Sequence, residues 1–161
     1  VENKEVVYLP LRPGVFAIVD ADCPAWIRDQ KWYLGGGGGG GYARRNVPRT
    51  RDKEYLHRVI TGCPEGFDVD HINGDRLDNR RINLRICSHR LNLINSKKRK
   101  VASSKFKGVC WHRKAKKWMV RVDLGLEKFY LGLYKDEIAA ATAYNAKAAE
   151  LFGEFAKLNV L

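Results

Sequence analysis

From residue 67 to residue 95 the chain is dense in His, Asn, Asp and Arg, and this stretch constrains the fold more than any other. It reads Asp68-Val-Asp-His-Ile-Asn-Gly-Asp-Arg-Leu-Asp-Asn-Arg-Arg-Ile-Asn-Leu-Arg-Ile-Cys-Ser-His-Arg-Leu-Asn92. Residues 67–70 can form a short strand ending at Asp70-His71. Asn73-Gly74 starts a turn, because Asn and Gly tolerate the backbone angles a turn needs. The excursion to Arg81 is polar, and residues 83–87 can return as a second strand. Ser88 then caps a short helix that carries Asn92. The expected local unit is therefore strand, strand, helix.

The rest of the chain arranges itself around this unit. Residues 6–11 and 15–20 are apolar and rich in β-formers, with Pro13-Gly14 as the turn between them. Residues 24–31 can form a short helix. The seven glycines at 35–41 cannot offset their ordering entropy and read as a flexible loop. Residues 42–45 and 54–61 read as two further strands. Residues 95–104 are polar and contain Lys97-Lys98-Arg99-Lys100, so they read as a basic linker. Beyond it lie three strand-like stretches, 108–112, 118–123 and 128–134. A helix over 137–152 follows, with Asp136 as N-cap and Gly153 as its stop. The expected fold class is α+β in two domains: residues 1–95, with a strand-strand-helix core at about 67–95, and residues 105–161, joined by a linker at 96–104.

Charge narrows the function. Thirty Lys and Arg against eighteen Asp and Glu give a net +12, which favours polyanionic partners. The four cysteines, Cys23, Cys63, Cys87 and Cys110, form no Cys-x-x-Cys pair, so no zinc site is expected and reduced thiols of a cytoplasm suit them. No apolar run approaches the ~20 residues that span a bilayer, so no membrane partner is expected. An EF-hand register fails because placing Gly74 sixth puts Val69 first, and a His-Glu-x-x-His zinc motif is absent.

The polar segment holds the parts that phosphodiester hydrolysis needs: a base for water, hard oxygen donors for a divalent cation, and a group that fixes the base. Histidine suits the base because it titrates near neutral pH. Carboxylate and amide oxygens suit magnesium, or manganese. His57-Arg58, Asp70-His71, Asn83-Leu84-Arg85 and Asn92 together resemble the HNH (ββα-metal) endonucleases, closest to the phage and intron-encoded homing enzymes. The resemblance implies that His71 is the general base and Asp70 a metal ligand. It implies that Asn83 orients the base or stabilises its loop, and that Asn92 is the last ligand, with His89 one turn earlier as its rival. His57 is either structural or a phosphate contact. Arg76, Arg80, Arg81, Arg85 and Arg90 are candidate phosphate clamps, since the guanidinium fork matches phosphate oxygens. Lys97, Lys98, Arg99 and Lys100 would add affinity through counterion release.

In the C-terminal domain, Trp118, Val120 and Val122 alternate onto one strand face, as do Phe129, Leu131 and Leu133 in the next. Ala140, Tyr144, Ala148 and Leu151 recur at helical spacing. A three-stranded antiparallel sheet packed on one helix is expected, its other face basic and aromatic. Phe106-Lys-Gly-Val109, Lys117-Trp118, Tyr130-Leu-Gly132, the Ala-rich helix and the run from Phe152 to Asn159 resemble the apetala/ethylene-response-factor DNA-binding domain. That resemblance implies DNA contacts from His112, Lys114, Arg121, Lys128 and Tyr130. Arginines that plant members carry are replaced by Cys110, His112 and Asp123, so a plant target sequence does not transfer. Together the halves point to a homing-type, metal-dependent endonuclease of a phage or mobile element. It would act on double-stranded DNA as monomer or homodimer, in the host cytoplasm and near the nucleoid. The rival is an inert sequence-specific DNA-binding regulator.

Overall fold

A computed structural model describes residues 5–36, 41–94, 103–124 and 127–161. The fold is α+β, made of several small antiparallel sheets and short helices. The chain divides into two compact units, Val1–Ser88 and His89–Leu161. The sequence suggested a division at the basic linker, after residue 95. The observed division comes earlier because Leu91 and Ile94 pack into the apolar cluster of the second unit. Residues 37–40 of the glycine run and Lys97, Lys98, Arg99 and Lys100 lie outside the described residues.

In the first unit, β1 (Val6–Arg12) and β2 (Val15–Asp20) form a hairpin. Its turn uses Gly14 at φ +73°, where a side chain would be strained. Alternation turns Leu9, Leu11, Ala17 and Val19 inward, onto Cys23, Ile27, Trp32, Ala43 and Leu56. Each large aliphatic side chain removed from water there contributes roughly 1.5–3 kcal/mol. After the short helix α1 (Ala25–Arg28), β3 (Tyr33–Gly35), β4 (Tyr42–Asn46) and β5 (Lys53–Tyr55) make a second antiparallel sheet. The strand expected over 54–61 ends at Tyr55, and Leu56–Thr61 is a helix, α2. The β-branched Val59, Ile60 and Thr61 suggested a strand. Leu56, Val59 and Ile60, however, lie at helical spacing and all join the core. Gly62, at φ +59°, ends the helix.

Strands β6 (Asp68–His71) and β7 (Leu84–Cys87) form the expected two-stranded ladder, with Asp70 opposite Arg85 and His71 opposite Leu84. Helix α2 packs against both strands.

In the second unit, α3 (His89–Ile94) precedes β8 (Val109–His112), β9 (Lys117–Leu124) and β10 (Glu127–Tyr134), which pair in the order β10-β9-β8. Helix α4 (Glu137–Phe152) starts at Asp136, whose carboxylate accepts the Ala139 N–H at 2.7 Å, and ends at Gly153. Ala140, Ala141 and Ala148 are fully buried, and these small side chains let the helix lie close on Val109, Val120 and Val122. Gly108 sits at φ +75° with no room to spare: a Cβ there would fall 2.0 Å from the Tyr144 ring. One alternation differs from expectation. A bulge between Tyr130 and Gly132 shifts the register of β10, so Tyr134 packs inward and Leu133 is exposed.

Candidate active site

Four elements of the first unit bring one ring cluster together. Strand β6 ends in Asp70-His71, β4 begins with Tyr42, β5 ends with Tyr55, and the first turn of α2 supplies His57. The His57 and His71 rings meet edge to face with centroids 5.2 Å apart. Tyr55 stacks on His57 at 5.7 Å, and Tyr42 contacts His57 at 5.1 Å and His71 at 6.0 Å. The Arg76 guanidinium covers the Tyr42 ring at 4.8 Å.

Both histidines are buried, His71 to 5% exposure and His57 to 8%. Burial therefore pushes both below the ordinary imidazole range, since a charged ring loses its water there. For His71 the depression is opposed by the Asn79 carboxamide and then by Asp70, Asp75 and Asp78, which favour the charged ring. The Asn79 oxygen is itself buried and has no hydrogen-bond partner among the described residues. His57 is pushed down to about 3 by burial first and by His71 and Arg58 second. His57 Nδ1 has no hydrogen-bond partner among the described residues. At neutral pH both rings are neutral, and a neutral imidazole is the form that can accept a proton. Arg58 spans the turn after α2, donating to the carbonyls of Phe67 at 2.7 Å and Pro64 at 3.0 Å.

The loop after His71 is held by side chains. Asn83 Oδ1 accepts the Asn73 N–H at 3.0 Å, and its Nδ2 donates to the Asp78 carbonyl at 2.7 Å. One residue of the return strand thus closes both sides of the loop. Asp75 and Asp78 act as turn residues. The Asp75 carboxylate accepts the Leu77 N–H, and Asp78 accepts Asn73 Nδ2 at 2.9 Å and a two-pronged contact from Arg80 at 2.7 Å. Arg80 holds the Asp78 carboxyl below its usual range. The loop leans on β2: Ile18 donates its N–H to Leu77 and accepts that of Asn79.

The candidate clamp arginines are engaged inside the protein. Arg80 pairs with Asp78, Arg81 with Asp22 at 2.6 Å and more distantly with Asp20, and Arg76 with the Tyr42 ring. Arg85 donates through Nε at 2.9 Å and Nη2 at 2.7 Å to one oxygen of Asp70. In the second unit Arg90 donates to the Leu124 carbonyl and lies 3.7 Å from Glu127. Asn92 and His89 are on α3, in the second unit, whereas Asp70 and His71 are in the first.

Among the described residues no three His, Cys, Asp or Glu side chains converge as a metal cluster. The donor chemistry nonetheless suits a hard cation. Asp70 is a 5%-exposed carboxylate at a strand end beside an imidazole, and it already binds a positive group, the Arg85 guanidinium.

On the exposed face of the second unit's sheet, Tyr130 stands opposite Arg121 and Lys128 opposite Asp123. Tyr130 is 60% exposed, and Arg121 pairs with Asp123 at 2.7 Å. Lys114 is exposed in the β8–β9 turn, where His112 Nδ1 accepts the Ala115 N–H.

Sequence reasoning missed Tyr42 and Asn79 as neighbours of His71, and Tyr55 as a neighbour of His57. Asn79 falls in the excursion to Arg81 that reads as polar, yet the residue is fully buried. Its place next to Asp78 in the loop gave no cue to that burial. The Asp70–Arg85 pair becomes visible only once the strand register is known.

A family model described as HNH endonuclease matches residues 54–93. Over 168 aligned residues the chain is 34% identical to an uncharacterized HNH endonuclease of Acanthamoeba polyphaga mimivirus, covering 96% of this chain and 81% of that protein. No solved structure matches. No described helix is long and apolar enough to cross a membrane.

Proposed function

The chain belongs to the HNH endonucleases, and from that premise we propose a metal-dependent, homing-type enzyme that hydrolyses phosphodiester bonds at a chosen site in double-stranded DNA. The observation that carries this reading is the buried, neutral His71 beside the Asp70 carboxylate, on a loop that Asn83 clamps from both sides.

His71 accepts a proton from the attacking water, and its neutral state at working pH suits that task. Tyr42 and His57 fix the plane of its ring through the contacts described above. Asn83 holds the loop and thereby the position of His71, and so serves as a positioning residue. Asp70 would hold the cation, and the spacing in the sequence makes Asn92 the candidate for a further donor. A divalent cation, magnesium or manganese, would neutralise the phosphate and the departing 3′ oxygen. The product would carry a 5′ phosphate. One such site per chain makes a nick the simplest outcome, and a homodimer would cut both strands.

The second unit supplies target affinity in this reading. Its sheet-plus-helix form and the exposed Tyr130, Lys128 and Arg121 support this reading, which starts from the apetala/ethylene-response-factor resemblance. A sheet face of this kind fits a major groove.

The test is nicking of supercoiled DNA in magnesium, with and without EDTA, beside His71→Ala. The expected results are loss of nicking in EDTA and a fall of about 10²–10⁴-fold in rate for the variant with DNA binding retained. Wild-type protein that binds DNA in magnesium without nicking it would overturn the reading.

A further inference from the structure

We infer that Arg85 is the resident counter-ion of Asp70, and that a divalent cation competes with the guanidinium for this carboxylate. The inference rests on the reading of Asp70 as a metal ligand and adds how that ligand is held before the cation arrives.

Asp70 and Arg85 face each other directly across the β6–β7 ladder, so they share one face of the two-stranded sheet. Both Nε and Nη2 of Arg85 point at the same oxygen, Asp70 Oδ2, at 2.9 and 2.7 Å. The side chains are 13% and 6% exposed, so water does little to screen the pair. A buried carboxylate without a positive partner is costly, and the strand register supplies one that needs no ion from solution. Arg80 and Arg81 have carboxylates of their own in Asp78 and in Asp22 and Asp20. The arginine on the proposed ligand is Arg85.

A guanidinium and a dication cannot share one carboxylate oxygen at contact distance, because two positive groups would then sit within a few ångströms in a poorly screened site. An ion on Oδ2 therefore requires the Arg85 fork to leave, and an ion on the other oxygen places a dication within a few ångströms of it, which opposes the fork. Its planar donors match phosphate oxygens, so the DNA backbone is the acceptor that compensates the loss. The exchange couples the two ligands: DNA that takes Arg85 favours the cation on Asp70, and the cation favours DNA by the same factor. The free protein binds the ion weakly, which restrains cleavage chemistry away from DNA.

The experiment measures Mn²⁺ binding to the full chain without DNA, by titration calorimetry and by the electron paramagnetic resonance signal of the free ion. Wild type, Asp70→Asn, Arg85→Gln and Arg12→Gln are compared. Arg12→Gln removes an equal charge from an exposed residue at the end of β1. Arg85→Gln is expected to bind Mn²⁺ about tenfold or more tighter than wild type, the factor expected when a charge-assisted contact no longer has to be broken. Arg12→Gln is expected to match wild type, and Asp70→Asn to lose the site. Circular dichroism checks folding. If Arg85→Gln does not fold, Arg85→Lys, which keeps the charge and gives up the fork, is expected to tighten binding by a smaller factor. Asp70-dependent Mn²⁺ binding that is no tighter in the folded Arg85 variant would overturn the inference and leave the metal-site reading intact. Mn²⁺ binding indifferent to Asp70→Asn would overturn both.

Discussion

The loop after His71 and the second unit keep their shape by different means. The loop between β6 and β7 is fixed by polar side chains that reach backbone groups: Asn83 to Asn73 and Asp78, Asp75 to Leu77, Arg80 to Asp78. The second unit is fixed by apolar packing of an alanine-rich helix on a sheet, with Gly108 beneath the Tyr144 ring. Directional bonds position a few atoms closely, as a proton acceptor requires. Close packing resists distortion over a broad area, as a surface that grips an extended polymer requires.

The sharpest break of this comparison is Gly108→Ala. The new methyl group would overlap the Tyr144 ring in a backbone conformation that disfavours alanine, and the second unit should lose on the order of 3 kcal/mol or more. Urea unfolding followed by the near-ultraviolet signal of the tryptophans checks it, with the first unit expected to keep its own transition. Acid should strike the other unit. The folded pKa of His57 is about 3 against an ordinary 6.5. Between those values the unfolded chain takes up a proton that the folded one refuses, so stability falls as pH falls through this window. The effect is on the order of 3 kcal/mol between about pH 7 and pH 4, and His57→Phe should flatten it. Denaturant midpoints at several pH values would measure the slope. Asn83→Ala leaves the Asn73 N–H and the Asp78 carbonyl without their partner, at a cost of about 2 kcal/mol. Its larger consequence should be a drop in cleavage rate with little change in DNA affinity, read by single-turnover kinetics and gel shift. The smallest effect belongs to Asp136→Ala, which removes the cap of α4 and should cost about 1 kcal/mol by thermal melting.

The polar loop and the cap of α4 were legible because residue type alone fixes what Asn73-Gly74 and Asp136 do locally. The α+β class and the three-strands-then-helix order followed from alternation and helical spacing. Three things were not legible, for physical reasons. Leu56–Thr61 favours a strand by propensity, and only its burial against the first unit's core selects a helix. The bulge at Tyr130 and Gly132 breaks a period that reads as continuous, so Leu133 was assigned to the wrong face. Pairings such as Asp70 with Arg85 depend on strand register, which side-chain periodicity does not fix. The clamp arginines show the same limit: their charge was evident, but not the carboxylates that neighbour them in space.

Ile18 has a bearing on how small this enzyme can be made. Its two backbone bonds to Leu77 and Asn79 tie the loop after His71 to a strand outside the 54–93 stretch shared with the family. A peptide trimmed to that stretch would retain Asp70, His71 and Asn83 yet lose the ledge against which the loop between them rests. The boundaries of the shared motif are therefore narrower than the smallest piece that can hold its shape.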